Sequence, residues 1–278
     1  MAKARRQSNV FDAMGSYWAE IANQLATNRQ VEFLRNVLEP EGLILDLACG
    51  TGRHLIGLSQ KGYNIVGLDS SIKLLKITKN AYRRSQLVRA DMRFLPFKAK
   101  TFRAAFSMDT SFGYLFTEQD DLQSLIDLNY SLTLEGKLTL DVFNQENLLR
   151  KYENGGRKSL EWLFLPILVK LCNTFSRWLL FRLFSWKEYP SFLLLQKRTV
   201  STGRDYLTDL WIVYDKATRK IISFKHVVQL HKLAKLKALL ERADFLVNQI
   251  YGDYERQRFS SASNRLILVA SACKSISS

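Results

Sequence analysis

The sequence predicts an α/β fold, with a mostly parallel seven-stranded sheet, helices on both faces, and an antiparallel and helical insertion. Three observations predict it. Apolar runs of strand length alternate with helix-period segments from Leu43 to Val142, the pattern of right-handed crossovers between parallel strands. Four acids, Asp46, Asp69, Asp91 and Asp109, fall at or near the ends of those runs, the edge where such sheets hold ligands. A final helix and two strands resume the pattern after a middle stretch that breaks it.

Each element has its own signal. Leu43 to Leu47 (LILDL) is a short apolar strand, followed by a glycine turn and a helical pattern from Arg53 to Lys61. Tyr63 to Leu68 is a second strand closed by Asp69, and Ser70 or Ser71 caps a helix through Lys79. Gln86 to Ala90 is a third strand closed by Asp91, and Phe102 to Ser107 a fourth. A helix over Glu118 to Ser131 leads to the turn Glu135-Gly136 and a fifth strand, Leu138 to Val142. Ser159 to Trp186 is apolar and aromatic with scattered bases. Phe192 to Ser201, Tyr206 to Lys216 and Arg219 to Gln229 read as strands, the last two joined by Lys216-Ala217-Thr218. A helix from Leu233 to Ala243 and strands over Leu246 to Tyr251 and Arg265 to Ala270 close the core. The chain thus reads as one domain, 1–278, with its core at about 30–144 and 231–272. An insertion at about 145–230 is predicted to lie as a cap over the ligand-binding edge, with Arg198, Arg204, Asp209 and Tyr214 as candidate contacts.

Composition narrows the class. Hydrophobic residues make up 47% of the chain, enough for a packed core. The three cysteines form no CxxC pair, so neither a disulfide framework nor a zinc site is expected. No histidine or acid cluster suggests a metal. The net charge of +15 suits a basic soluble protein, an anionic membrane surface or a nucleic acid. No apolar run after Met1 to Val10 resembles a signal peptide, which predicts a cytoplasmic protein, with peripheral membrane contact as a further expectation.

Asp46-Leu47-Ala48-Cys49-Gly50-Thr51-Gly52 sits between strand and helix. Gly50 and Gly52 permit positive φ and close backbone approach to a ligand. A dinucleotide fingerprint would need a third glycine where Leu55 stands, and no phosphate-loop lysine motif is present. Asp69 is placed to accept from both ribose hydroxyls, as acids at this point do in nucleotide-binding βαβ units. Asp91 with Met92 is placed to take an adenine amino group and cover the ring.

The runs ILDLACGTGRH, VGLDSS, RADMRFLPF and SMDTSFGYL, with the tail YGDYERQRFSSASNRLILVA, resemble the class I S-adenosylmethionine-dependent methyltransferases, in particular their small-molecule branch. The resemblance is strong over 44–142, moderate over 230–270 and weak over the insertion. It implies a Rossmann-like core and S-adenosyl-L-methionine as cofactor. The methionine moiety maps to Asp46, Ala48, Gly50 and Gly52, ribose to Asp69, and adenine to Asp91 and Met92. The segment between cofactor and acceptor maps to Asp109, Thr110, Ser111 and Tyr114, with Asp109 and Tyr114 as the catalytic candidates beside the histidines. Tyr17 or Trp18 is expected to cover the cofactor. Two departures are Ala48, where many members have glycine, and Ala243-Asp244-Phe245, where alanine-glycine-phenylalanine is usual.

The expected reaction is in-line methyl transfer to a small-molecule or lipid-like acceptor. The alternatives are an RNA methyltransferase and a non-catalytic cofactor binder. The [DNS]-P-P-[FYW] motif of nucleic-acid amino-methyltransferases is missing, which weighs against nucleic acid. Residues 160–186 are long enough to span a bilayer. Because strands on both sides belong to one sheet, the segment is expected to lie on a membrane surface or line an apolar pocket. Lys170, Asn173, Thr174 and Arg177 would form its polar stripe, with Trp162, Trp178 and Trp186 at headgroup level.

Overall fold

The computed structural model describes residues 10–115, 117–154 and 185–273. The elements in chain order are α1 (Val10–Met14), α2 (Ser16–Ala22), α3 (Thr27–Val37), β1 (Leu43–Leu47), α4 (Arg53–Ser59), β2 (Asn64–Asp69), α5 (Ile72–Ala81), β3 (Gln86–Arg89) and β4 (Phe102–Ser107). A 3-10 turn, Ser111–Tyr114, precedes α6 (Glu118–Ser131), β5 (Leu132–Phe143) and α7 (Gln145–Asn154). The strands β6 (Ser185–Glu188), β7 (Phe192–Val200), β8 (Tyr206–Asp215) and β9 (Ile221–Gln229) follow, then α8 (Leu233–Arg242), β10 (Phe245–Tyr251) and β11 (Arg265–Ala272). The chain divides into two compact units, residues 1–148 with 228–278, and residues 149–227.

The first unit holds a seven-stranded sheet of order β10-β11-β5-β4-β1-β2-β3. The pairs among β1 to β5 are parallel, and β11 runs antiparallel to both β5 and β10. Alternation along the strands sorts the core into two faces. Leu45 and Leu47 turn to one face with Leu125, Leu128, Leu236 and Leu240 of α6 and α8, whereas Ile44 turns to the other with Leu34 of α3 and Leu55 of α4. Ala104 and Phe106 join the second face, and Ala105 between them joins the first. The order of the strands reverses between β1 and β4, and this is the crevice where a doubly wound sheet binds its ligand.

The helix caps follow the sequence signals. The Ser71 side chain accepts from the Leu74 N–H, and Thr117 accepts from the Asp120 N–H. The turn after α8 places Asp244 at φ 58, so its backbone takes the left-handed form for which glycine is the usual residue. Two expectations are corrected. The fifth strand begins at Leu132 and not at Leu138; Glu135, at φ 61, and Gly136 form an irregularity within it, where the register against β4 shifts between Phe102 and Ala104. A bulge keeps the pairing going where a turn would end it.

The second unit contains a four-stranded sheet of order β6-β7-β8-β9. Three of its strands match the expected ones. β6 was not foreseen; its four residues are all exposed, so no alternation marks it. Arg198 and Asp209, both candidate acceptor contacts, stand opposite each other on β7 and β8, and Arg198 Nε donates to Asp209 Oδ2 at 2.8 Å. Arg204 lies in the exposed β7–β8 turn at φ 61, and Tyr214 is half-buried on β8. The 160–186 segment lies outside the described residues except for its last two, and among the described residues no helix is long and apolar enough to cross a membrane.

At the edge where the parallel strands end, residues 252–264 connect β10 to β11. The Asn144 amide donates to the carbonyls of Ser260, Ser261 and Ser263, and the Asn147 amide also donates to Ser263. The connection therefore hangs from the residues that follow β5.

Candidate functional site

The glycine turn and the chain segments beyond β2, β3 and β4 line one cleft of about 1220 Å³, open mouth included. That is ample for a nucleoside-sized ligand. Asp46, Ala48, Gly50, Asp69, Asp91, Met92, Asp109 and Tyr114 all line it, so eight of the sequence-predicted residues meet in one place. Gly52 is not part of the lining and packs against Thr78. Tyr17 is not part of the lining; Trp18 and Phe11 are. Neighbouring residues on a helix point about 100° apart, and here it is Trp18 that turns to the cleft. Phe11 meets both Trp18 and Tyr114 edge-on at centroid distances of 5.0 Å, giving the mouth an aromatic wall. Asp12 on α1 accepts from the Ser71 hydroxyl at 2.7 Å and from the Lys73 N–H at 3.1 Å, which ties this wall to α5.

The loop geometry is that of a backbone cradle. Ala48, Gly50 and Gly52 have φ of 62, 55 and 72. Asp69 shapes the cradle as well as lining it: Oδ2 accepts the Gly50 N–H at 2.9 Å, and Oδ1 accepts the Ser71 N–H at 2.8 Å. Burial raises the Asp69 carboxyl above its ordinary range, with the N–H groups of Ser71 and Gly50 opposing. Asp46 is 2% exposed, and its Oδ2 has no hydrogen-bond partner. Burial pushes its carboxyl up to about 7; Arg53 opposes this and Asp69 adds to it. Asp91 is already engaged. Arg93 grips it with Nε on Oδ1 at 3.0 Å and Nη2 on Oδ2 at 2.6 Å. Burial alone would raise Asp91, but this fork outweighs burial and holds it below the usual carboxylate range.

A polar network that the sequence reading missed lies behind Asp109. Gln30 of α3, 2% exposed, donates to Asp109 Oδ1 at 2.7 Å and to the Tyr254 hydroxyl at 2.9 Å. Arg53 pairs with Asp109 Oδ2 and donates to Gln30 Oε1 at 2.5 Å and Thr27 Oγ1 at 3.0 Å. Burial lowers the Arg53 guanidinium to about 10, against the pull of Asp46. Gln30 Oε1 also takes His54 Nε2 at 3.0 Å. That oxygen only accepts, so His54 is the Nε2–H tautomer. Burial and then Arg53 hold its pKa well below the ordinary value, so it stays neutral. His226 and His231 are also buried, beside Asp209 and Asp121 respectively. Asp109 is thus held by a hydrogen bond from Gln30 at Oδ1 and by an ion pair with Arg53 at Oδ2. A polar residue on the apolar stripe of α3, Gln30 beside Val31, Leu34 and Val37, was the available signal for this network.

The fold and the cleft define a nucleotide-type ligand site at the switch point of a doubly wound sheet. Residues 44–133 match the family described as a methyltransferase domain. The chain is 30% identical over 151 residues to a glycine/sarcosine N-methyltransferase of Aphanothece halophytica, covering 51% of this chain and 57% of that protein. The chain spans about half the length of the curated relatives it matches. Among solved structures, an S-adenosylmethionine-dependent methyltransferase of Clostridium acetobutylicum superposes with a TM-score of 0.71 at 15% identity, covering 91% of this chain and 95% of the other. The sugar N-methyltransferase KedS8 of a Streptoalloteichus species gives 0.65 at 15% identity, covering 93% and 92%. Residues 44–133 thus match a methyltransferase domain, and the core is the Rossmann-like one of these S-adenosylmethionine-dependent methyltransferase structures.

The residues present fit that cofactor. The unpartnered Asp46 Oδ2 lies where a ligand ammonium would find an acceptor, and the left-handed turn leaves no side chain at Gly50 to fill the cradle. Asp69 faces the same cleft. Among the described residues no group of His, Cys, Asp or Glu has the arrangement of a metal site.

Proposed function

We propose that the chain transfers the methyl group of S-adenosylmethionine to a small-molecule acceptor. The cofactor supplies a methyl already activated on a sulfonium. The protein's work is therefore alignment and exclusion of water, and alignment of two bound reactants is worth roughly 7–11 kcal/mol. The observation that carries the reading is the meeting of the glycine cradle, Asp46, Asp69 and the aromatic wall in one cleft. We assign Asp46, Ala48, Gly50 and Gly52 to the methionine moiety, Asp69 to ribose, and Asp91 with Met92 to the adenine end, where Arg93 fixes the carboxylate. Trp18, in place of Tyr17, covers the site. Asp109 is held by Arg53 and Gln30, so its role is to orient the segment that carries Ser111 and Tyr114 toward the acceptor. The glycine/sarcosine and sugar N-methyltransferases among the similar proteins support a small acceptor with an amine nitrogen.

Incubation with methyl-labelled donor and cell extract tests this. Label is expected in small aqueous metabolites. Label in RNA or the lipid phase would overturn the small-amine assignment. Binding of the donor with no transfer to any fraction would make the chain a binder only.

A further inference from the structure

Asp109 and Thr110 follow β4 with φ of 53 and 67. Two successive non-glycine residues in the left-handed region carry about 1–2 kcal/mol of strain each. Such strain persists only where the surroundings over-determine the backbone. The restraint comes from β5 and β11, outside the cleft wall. Asp141 is 0% exposed. Its Oδ2 accepts the Asp109 N–H at 3.0 Å, and its backbone oxygen accepts the Thr110 N–H at 2.8 Å. Its Oδ1 accepts Arg265 Nε at 2.7 Å. The other arm of the same guanidinium, Nη2, donates to Thr110 Oγ1 at 3.0 Å. Tyr254 completes the set, donating to Asp141 Oδ2 at 2.9 Å while accepting from Gln30.

We propose that Asp141 and Arg265 are positioning residues that clamp the Asp109–Thr110 turn and so place Asp109, Ser111 and Tyr114 in the cleft. This assignment rests on the methyltransferase reading of that cleft. A buried ion pair that served stability alone would not need its second arm on Thr110. The pair lies under two strained residues whose side chains or neighbours line the site; Asp141 holds both strained peptide N–H groups, and Arg265 holds the Thr110 hydroxyl.

The test separates the clamp from simple stability. Arg265→Lys keeps a cation beside Asp141 but removes the forked second arm. Thr110→Val removes the acceptor of that arm and leaves the Asp141–Arg265 pair whole. In each variant hydrogen exchange over residues 109–111 is expected to quicken about tenfold, the loss of one hydrogen bond to a charged group. Affinity for S-adenosylhomocysteine is expected to fall by a similar factor. Adding Thr110→Gly to Arg265→Lys should restore both to within about threefold, because glycine adopts positive φ without strain. Unchanged exchange at 109–111 in both single variants would overturn the proposal, as would a double variant no better than Arg265→Lys. If the wild type fails to bind S-adenosylhomocysteine, the methyltransferase reading falls, and the exchange measurement still decides the clamp.

Discussion

Thr78 occupies the space that a side chain on Gly52 would need. A Cβ built on Gly52 lies 2.3 Å from Thr78 Cγ2, and Gly52 has φ 72. Thr78 is itself tied to the cradle, since its hydroxyl donates to the Gly50 carbonyl at 2.9 Å. Gly52→Ala therefore meets both strain and overlap. A loss of roughly 2–4 kcal/mol is expected from adding overpacking to positive-φ strain. Chemical denaturation checks this. Thr78→Ser in the same chain removes the methyl but keeps the hydroxyl, and should recover part of the loss.

Ala48 predicts the opposite sign. It holds φ 62, a left-handed conformation that its methyl disfavours. Ala48→Gly is expected to raise stability by about 0.5–1 kcal/mol, left-handed strain relieved less the greater freedom of the unfolded glycine. A lower melting temperature would show that the methyl packs usefully against the cleft.

Asp46 gives a dependence on pH. Its carboxyl is raised from 3.8 to about 7, so the folded chain holds that proton more tightly than the unfolded one. The folded state then binds more protons between these values, and stability falls as pH rises through the window. Asp69 is shifted in the same direction, whereas His54, held below its ordinary value, opposes the fall, because its imidazole takes up a proton only in the unfolded chain. Asp46→Asn should flatten the fall but leave the share due to Asp69. A ligand cation beside Asp46 favours the carboxylate, so affinity for S-adenosylmethionine should rise from pH 6 to pH 8 with release of a proton. Calorimetry at pH 7 in two buffers of different ionisation enthalpy reads that release, and proton uptake would refute the assignment.

Asp69 and the glycine turn act together. Asp69→Ala removes a cleft carboxylate and also frees the Gly50 and Ser71 N–H groups. Cofactor affinity should weaken by about 1.5–3 kcal/mol, the range for hydrogen bonds to a charged group. Unchanged affinity in titration would remove Asp69 from the site.

The aromatic wall distinguishes two adjacent residues. Trp18→Ala should weaken S-adenosylhomocysteine binding by roughly 1.5–3 kcal/mol, the scale of a large apolar side chain covering a buried ligand. Tyr17→Ala should leave binding nearly unchanged, because Tyr17 is not in the cleft lining. Equal effects of the two would contradict the placement of α2.

Much of this was legible in the chain because the signals are local. β4 and α6 have the bounds their patterns predict: Phe102–Ser107 is a compact apolar run, and Thr117 caps a helix of clear period. The acids and glycines of the cleft follow strands, so strand ends located them. Contacts between distant residues left no such mark. Gln30 meets Tyr254 across 224 positions, and Arg265 meets Asp141 across 124. Only the odd polar residue on the stripe of α3 hinted at the first. β6 escaped because a fully exposed four-residue strand has no inward face to read, and β5 was begun late because Glu135-Gly136 resembles a turn.

The connection between β10 and β11 presents Arg256 and Arg258 to solvent, side chains that trypsin recognises. Exposed connections are the usual places for a nick. Cleavage, however, requires a stretch of backbone to detach and lie extended in the protease. The carbonyls of Ser260, Ser261 and Ser263 are all taken by one amide on Asn144, and that of Ser263 again by Asn147. Detaching this connection therefore means releasing the residues beyond β5 as well. Limited digestion should spare these arginines in the native chain and attack them in Asn144→Ala, which makes a gel band a direct gauge of how firmly this rim of the sheet is stitched.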